Sequence, residues 1–269
     1  MTGSLALPWP REALAQALAV LGPGAQVEIV PAVDSTNTEL MRRAREGRTA
    51  PTLLVTEAQT AGRGRLGRDW HTTDAGVGGA LTFSLGLPLA PADWSGLSLV
   101  VGVALAESLD ARLRLKWPND LWWQGRKLAG ILIETAAGAG LAARARYAVI
   151  GIGLNLAPRP AEGLRTPPAW LQELDPRFTA PAALAQLLPA LVAAVRRFER
   201  EGFAPWAARF NALDALADTP VLLSDGTEGT ACGVDARGAL RVRTAHGLRE
   251  VSSAEISVRP APTQAPGAA

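Results

Sequence analysis

Between the apolar runs 52–56 and 80–87 the chain places Gly62-Arg63-Gly64-Arg65-Leu66-Gly67-Arg68. This stretch, read with its flanks as 58–70, has too much glycine for a stable helix and too much charge for a buried strand. A folded chain must therefore carry it as a loop beside a sheet, with its guanidinium groups displayed. Glycine lets a backbone come close to a ligand, and arginine offers planar donors matched to phosphate and carboxylate. Taken alone, the loop reads equally as an anion cradle, a solvated loop or an RNA-binding arginine–glycine tract. It lacks the Gly-Lys-Ser/Thr of a phosphate-binding P-loop and forms no dinucleotide fingerprint. A single short copy directly after a strand argues against the disordered tract.

Strand-like runs at 27–33, 113–115, 121–123, 130–134 and 147–154 join the two flanking the loop. Helical segments are expected at 11–21, 38–46, 97–109, 180–200 and 203–213, with Pro10 near the start of the earliest and Gly22 closing it. The pattern predicts an α+β fold, a central mixed or largely antiparallel sheet flanked by helices. After Asp214 the texture changes to short strands at 220–223, 229–234, 240–244 and 248–251, joined by tight turns. We expect a catalytic unit over 1–214, a small β-module over 215–260 and a disordered Pro/Ala-rich tail over 261–269, with disorder setting in from Arg259.

Net charge is only +2, so any anion-binding function must be local rather than global. One cysteine, Cys232, cannot supply a disulfide framework. The N-terminus lacks the layout of a secretory signal, and apolar stretches are too short to span a bilayer; the expected location is cytoplasmic. Of 27 basic residues only Lys116 and Lys127 are lysine. An ammonium is a compact point charge where guanidinium is a fork, so these two are candidates for work that arginine cannot do.

Both lie in chemistry-bearing words. Lys116-Trp117-Pro118-Asn119-Asp120 follows a strand; it is ordinary turn chemistry, yet Lys could reach an anion while Asp or Asn helps hold a hydrated metal ion on phosphate oxygens. In Arg126-Lys127-Leu128-Ala129-Gly130-Ile131-Leu132-Ile133-Glu134 a lysine opens a buried strand, and Gly130 admits a close approach to the sheet. Asp34-Ser35-Thr36-Asn37 suffices as a helix cap, and its spare hydroxyl and amide groups also suit a small polar ligand. Gly151-Ile152-Gly153-Leu154-Asn155 ends a strand on a polar residue. His71 and His246 look incidental.

In this order the words resemble the biotin–protein ligase family, across roughly 30–258. The resemblance implies a class II synthetase-like domain followed by a small SH3-like β-barrel. It implies a biotin site of Ser35, Thr36, Asn37, Gln59, Gly62, Arg63, Gly64, Arg65, Lys127 and Gly130, with the Gly-Arg loop closing over biotin and its adenylate. Arg65, Arg68, Lys116, Asn119, Asp120 and Asn155 map to the nucleotide, with Lys127, Arg65 and Lys116 as catalytic residues and Asp120 as a metal ligand. Biotin, ATP and Mg²⁺ would be substrates and activator, with no permanently bound cofactor. The partner would be a biotin carboxyl carrier protein offering a lysine. Leu66 stands where some relatives have another basic residue. Some relatives begin with a helix-turn-helix repressor domain; only 33 residues precede Asp34, so the expectation is a monofunctional enzyme without specific DNA binding. A homodimer is compatible with the sheet edges.

The chemistry suits these residues. A carboxylate must reach the α-phosphorus of ATP, and both are anionic, so fixed cations are needed. The carboxylate is already ionised at neutral pH and needs no base. Lys127→Ala is expected to lose adenylate formation, and Arg63→Ala to leak the adenylate. Two alternatives stand beside this: a lipoate–protein ligase, and a non-enzymatic nucleic-acid binder. The latter normally stacks bases on aromatic rings, and 219–258 contains no Phe, Tyr or Trp.

Overall fold

The computed structural model describes residues 7–70, 76–137, 141–162, 166–252 and 258–261. His71 and the tail beyond Ala261 lie outside the described residues.

Seven strands form the larger sheet: β1 (Gln26–Val33), β2 (Thr52–Gln59), β3 (Ala80–Leu89), β4 (Arg114–Lys116), β5 (Asp120–Trp123), β6 (Arg126–Ala136) and β7 (Arg146–Asn155). Their spatial order is β1-β2-β3-β7-β6-β5-β4. β1 and β2 are parallel, and every other neighbouring pair is antiparallel. The mixed, mostly antiparallel sheet expected from the turn signals is the one observed.

Strand alternation divides the sheet into two chemically different faces. Leu53, Val55, Leu81, Phe83, Leu85, Ala148, Ile150, Ile152 and Ile131 belong to the main apolar core. That core is completed by α1 (Arg11–Leu18), α3 (Leu97–Leu109) and α4 (Ala180–Glu201). The intervening residues of the central strands are Thr82, Ser84, Gly151, Gly153, Gly130 and Leu132. This second face carries α2 (Thr36–Arg45), seated on a small cluster of Leu40, Met41, Ala44, Leu54, Tyr147 and Val149. Beyond α2 the face has hydroxyls and glycines instead of bulk, which leaves room above it.

The second sheet is antiparallel, in the order β11-β10-β9-β8-β12, from β8 (Pro220–Leu223), β9 (Glu228–Val234), β10 (Leu240–Thr244), β11 (Gly247–Val251) and β12 (Val258–Pro260). Its inward residues, among them Val221, Leu240 and Val242, continue the main core. Between the sheets lies α5 (Ala207–Leu213), whose Asn211 brackets β9 by accepting from Val234 N and donating to Val234 O.

Three boundaries differ from the sequence reading. β2 runs on to Gln59, so Ala58 and Gln59 are strand rather than loop. α2 starts at Thr36, two residues early, because Ser35 caps it. Arg259 and Pro260 are not disordered: they pair with β8, and Ala261 N donates to Pro220 O. That pairing supplies backbone partners that composition alone could not reveal.

Candidate active site

A cavity of about 480 Å³ opens on the hydroxyl–glycine face. Its floor is built by omission. A Cβ on Gly153 would fall 2.2 Å from Trp70 Cε2, and one on Gly151 would fall 2.1 Å from Asn37 Oδ1. Trp70 and Asn37 can therefore lie flat on β7 only because those positions are glycine. Gly130, opposite Gly153 in register, also faces Trp70.

One end of the cavity is a neutral hydrogen-bonding wall. Ser35 caps α2 by accepting from Thr38 N at 3.4 Å, so the capping reading of that word is correct for this residue. Thr36 and Asn37 turn inward and are buried. Gln59 Oε1 accepts from Thr36 N at 2.8 Å. Ser84 Oγ lies 2.7 Å from both Asn37 Oδ1 and Thr36 Oγ1. Its single proton goes to the amide oxygen, an obligate acceptor, so it accepts from Thr36. Asn37 Nδ2 donates to Leu132 O and to Glu134 Oε2, at 3.2 and 2.9 Å. Beside this wall two buried polar atoms, Thr82 Oγ1 and Trp70 Nε1, have no hydrogen-bond partner among the described residues. Buried polar groups are nearly always satisfied, so a pair of orphans facing one cavity points to a polar ligand.

The other end is cationic. Lys127 Nζ pairs with Asp120 Oδ1 at 2.7 Å. Lys116, from the end of β4, stands 5.4 Å above the Trp122 ring. Burial pushes its pKa below the ordinary lysine value; Asp120 opposes this, while Lys127, Arg68 and Arg65 add to it. Burial likewise lowers Arg65, with Asp120 opposing and Arg68 reinforcing. Four cations thus converge around one aspartate. Such a cluster costs desolvation and self-repulsion unless an anion joins it.

The Gly-Arg loop forms a closed hairpin over the cavity. Gly64 N donates to Arg68 O and Trp70 N to Gly62 O. Gly62 does not border the cavity as expected. It forms the loop's neck, where a Cβ would meet Trp70 O at 2.2 Å. Leu66 is left-handed, with φ 57°, and exposed. Arg65 and Arg68 border the cavity near the lysines. Arg63 instead turns to Glu134 and Thr38.

Asn119 and Asn155 border the cavity but are largely occupied with structure. Asn119 Nδ2 donates to Ile131 O and its Oδ1 accepts from Arg65 at 3.5 Å. Asn155 Nδ2 donates to Lys127 O and Ala169 O, and its Oδ1 accepts from Arg159. The remaining expected residues, Gly64 among them, also line the cavity.

Sequence reasoning assigned no role to Trp70, Thr82, Ser84, Glu134 or Arg159, all of which meet the site or its wall. The alternation of small and polar with apolar residues in β3 and β7 was the available signal. Arg159 and Pro168 come from the Pro-rich connection after β7, which carries no motif. Part of it pairs with the start of β6, Lys127 N donating to Pro167 O and Ala169 N to Lys127 O.

The biotin/lipoate A/B protein ligase family matches residues 29–155, and the biotin protein ligase C terminal domain matches 221–259. The bifunctional ligase/repressor BirA of Escherichia coli is 38% identical over 266 residues, covering 95% of this chain and 81% of the relative. The biotin–[acetyl-CoA-carboxylase] ligase of Paracoccus denitrificans is 35% identical over 239 residues, covering 83% and 96%. The solved biotin protein ligase from Aquifex aeolicus in complex with biotin and ATP superposes with a TM-score of 0.72 at 27% identity, covering 88% of this chain and 99% of that one. With its family matches on both sheets and relatives aligned over most of their length, the chain belongs to the biotin protein ligase family.

Proposed function

We propose that this protein joins biotin to ATP as biotinyl-5′-AMP and then transfers the biotinyl group to a lysine of a biotin carboxyl carrier protein. One observation carries the reading: a single cavity whose two ends are chemically opposite, a neutral hydrogen-bonding wall and a cluster of four cations. Biotin has that same polarity, a neutral ring system with its own donors and acceptors at one end and a carboxylate at the other.

In the first step a biotin carboxylate oxygen bonds to the α-phosphorus and the bond to the β-phosphate oxygen breaks, releasing pyrophosphate. Lys127, Lys116, Arg65 and Arg68 offset the charge of two approaching anions; this is the term most enzymes of this kind exploit. Holding the reactants in line supplies further acceleration. Thr36, Asn37 and Ser84 orient the ring, and the orphan Trp70 Nε1 and Thr82 Oγ1 gain partners. Asn119 and Asn155 act by fixing Arg65 and the start of β6. In the second step the acceptor amine attacks the acyl carbon, the bond to the AMP phosphate oxygen breaks, and the amine proton passes to Asp120 or solvent.

Among the described residues no three His, Cys, Asp or Glu side chains gather as metal ligands. Asp120, the expected ligand, is ion-paired. These residues suit a magnesium ion that stays on the nucleotide's phosphates and its own waters, with Asp120 as one outer partner. No helix among the described residues is long and apolar enough to cross a membrane.

Pyrophosphate release from ATP and Mg²⁺, measured in parallel with biotin, lipoate and no acid, tests the proposal. Biotin-dependent release supports it. Lipoate-dependent release would shift the substrate within the same family, and silence with both acids would end the adenylation reading.

A further inference from the structure

Arg63 and Arg65 are two residues apart in one loop, yet their side chains do different things. Arg65 turns toward the lysines. Arg63 Nη2 lies 3.0 Å from both carboxylate oxygens of Glu134, and its Nε donates to Thr38 Oγ1 at 3.0 Å. Glu134 stands on β6, at the margin of the neutral wall. The same carboxylate accepts from Asn37 Nδ2 at 2.9 Å, and Asn37 Oδ1 in turn accepts from Ser84. Glu134 is therefore the one group that touches both the loop and the ring-binding wall.

We infer that Glu134 is a positioning residue: it latches the loop shut through Arg63 while fixing the orientation of Asn37 in the biotin pocket. The inference rests on the function proposed above and deepens it. Two physical points favour it. First, the Asn37 amide donates to Glu134 and Leu132 O and accepts from Ser84, so its rotamer depends on having an acceptor at position 134. A ligand that engages this wall acts on the same network that holds the loop. Second, the Arg63–Glu134 pair is partly open to water, with side-chain exposures of 46% and 26%. Pairs this exposed are weak. A latch has to be weak, because the loop must open for biotin to enter and close to keep water from the mixed anhydride. The sequence expectation that Arg63 clamps the ligand directly is replaced by a division of labour: Arg63 anchors the loop, while Arg65 and Arg68 face the anions.

The test uses the full-length chain with Glu134→Gln, Glu134→Ala, Arg63→Gln and the double variant Arg63→Gln/Glu134→Gln. The readouts are acceptor-independent, biotin-dependent AMP formation, which reports escaping adenylate, and the KM for biotin. Glutamine at 134 keeps an acceptor for Asn37 but loses the charge that holds Arg63. Glu134→Gln and Arg63→Gln should each raise escape roughly fivefold, the scale of an exposed ion pair. The double variant should leak no more than either single one. Glu134→Ala should leak equally and also raise the biotin KM, whereas Glu134→Gln leaves that KM much closer to the parent's. Raised ionic strength should increase escape in the parent and leave Arg63→Gln unmoved. Parental escape in both Glu134→Gln and Arg63→Gln, or leaks that multiply in the double variant, would overturn the latch. Absence of biotin-dependent AMP in the parent would instead overturn the proposed function itself.

Discussion

At the scale of single residues, the two lysines are the most informative positions. Lys127 faces the anionic reactants and also neutralises Asp120 at 2.7 Å. Lys127→Ala removes both effects. Biotin-dependent pyrophosphate release should fall at least about 100-fold, near 3 kcal/mol of transition-state stabilisation. Lys127→Arg should recover only part, since a fork cannot occupy the space of an ammonium. Release at the parental rate in Lys127→Ala would remove the residue from the mechanism.

Asp214 is a different case, a buried carboxyl outside the cavity. Burial raises its pKa from 3.8 to about 6, with Asp218 adding to this and the Leu216 N–H opposing. Its Oδ2 has no hydrogen-bond partner among the described residues. The folded state holds this proton more tightly than the unfolded chain does. Stability is therefore greatest below pH 4, declines as pH rises toward 6, and carries a constant cost above that. Asp214→Asn keeps an acceptor for Leu216 N and abolishes the charge. It should stabilise the protein by about 1–3 kcal/mol at pH 8 and by little at pH 4. Thermal melts of parent and variant at both values decide it: an equal gain at each would show that titration is not the cause.

At the scale of elements, β7 shows how one strand serves two purposes. Ala148, Ile150, Ile152 and Leu154 fill the core, while Gly151 and Gly153 leave space for Asn37 and Trp70. Gly153→Ala should leave the core face intact and push the Trp70 indole off its seat. A biotin KM raised about tenfold or more, with a stability loss of at most ~1–3 kcal/mol from overpacking, is the expected pairing. Isothermal titration with biotin and a denaturant melt measure the two separately. A large loss of stability with unchanged biotin affinity would mean that the glycine serves packing alone.

At the scale of the whole molecule, the two sheets are joined through the site's own turn. Trp117 is fully buried and its Nε1 donates to Gly238 O, in the first tight turn after β9. Ala215 N donates to Leu115 O, one residue before Lys116. The C-terminal sheet thus steadies the corner that presents Lys116, Asn119 and Asp120. Trp117→Phe keeps the apolar bulk but strands the Gly238 carbonyl, at a cost of about 1–2 kcal/mol. The KM for ATP should rise together with the fall in melting temperature. A lower melting temperature with an unchanged ATP KM would confine Trp117 to a structural role.

How much of this was legible beforehand follows from which forces act locally. The Gly-Arg loop, the capping word at Ser35, the turn at Pro118 and the apolar periods of α3 and β7 are consequences of backbone sterics and side-chain polarity over a few residues. They fixed the fold class, the order of elements and most of the cavity's lining, and a chain with only two lysines placed both at the site. What the loop's arginines do could not be read in the same way. Arg63 and Arg65 are chemically identical, and only the sheet, which brings Glu134 and Asn119 within reach of one or the other, gives them separate partners. The same holds for Thr82, Ser84 and Trp70, which became a pocket through strand pairing across long sequence separations. Arg259 and Pro260 likewise read as tail until β8 supplied their hydrogen bonds. Local sequence set what each segment could be; tertiary contacts, which no short window contains, decided what each side chain touches.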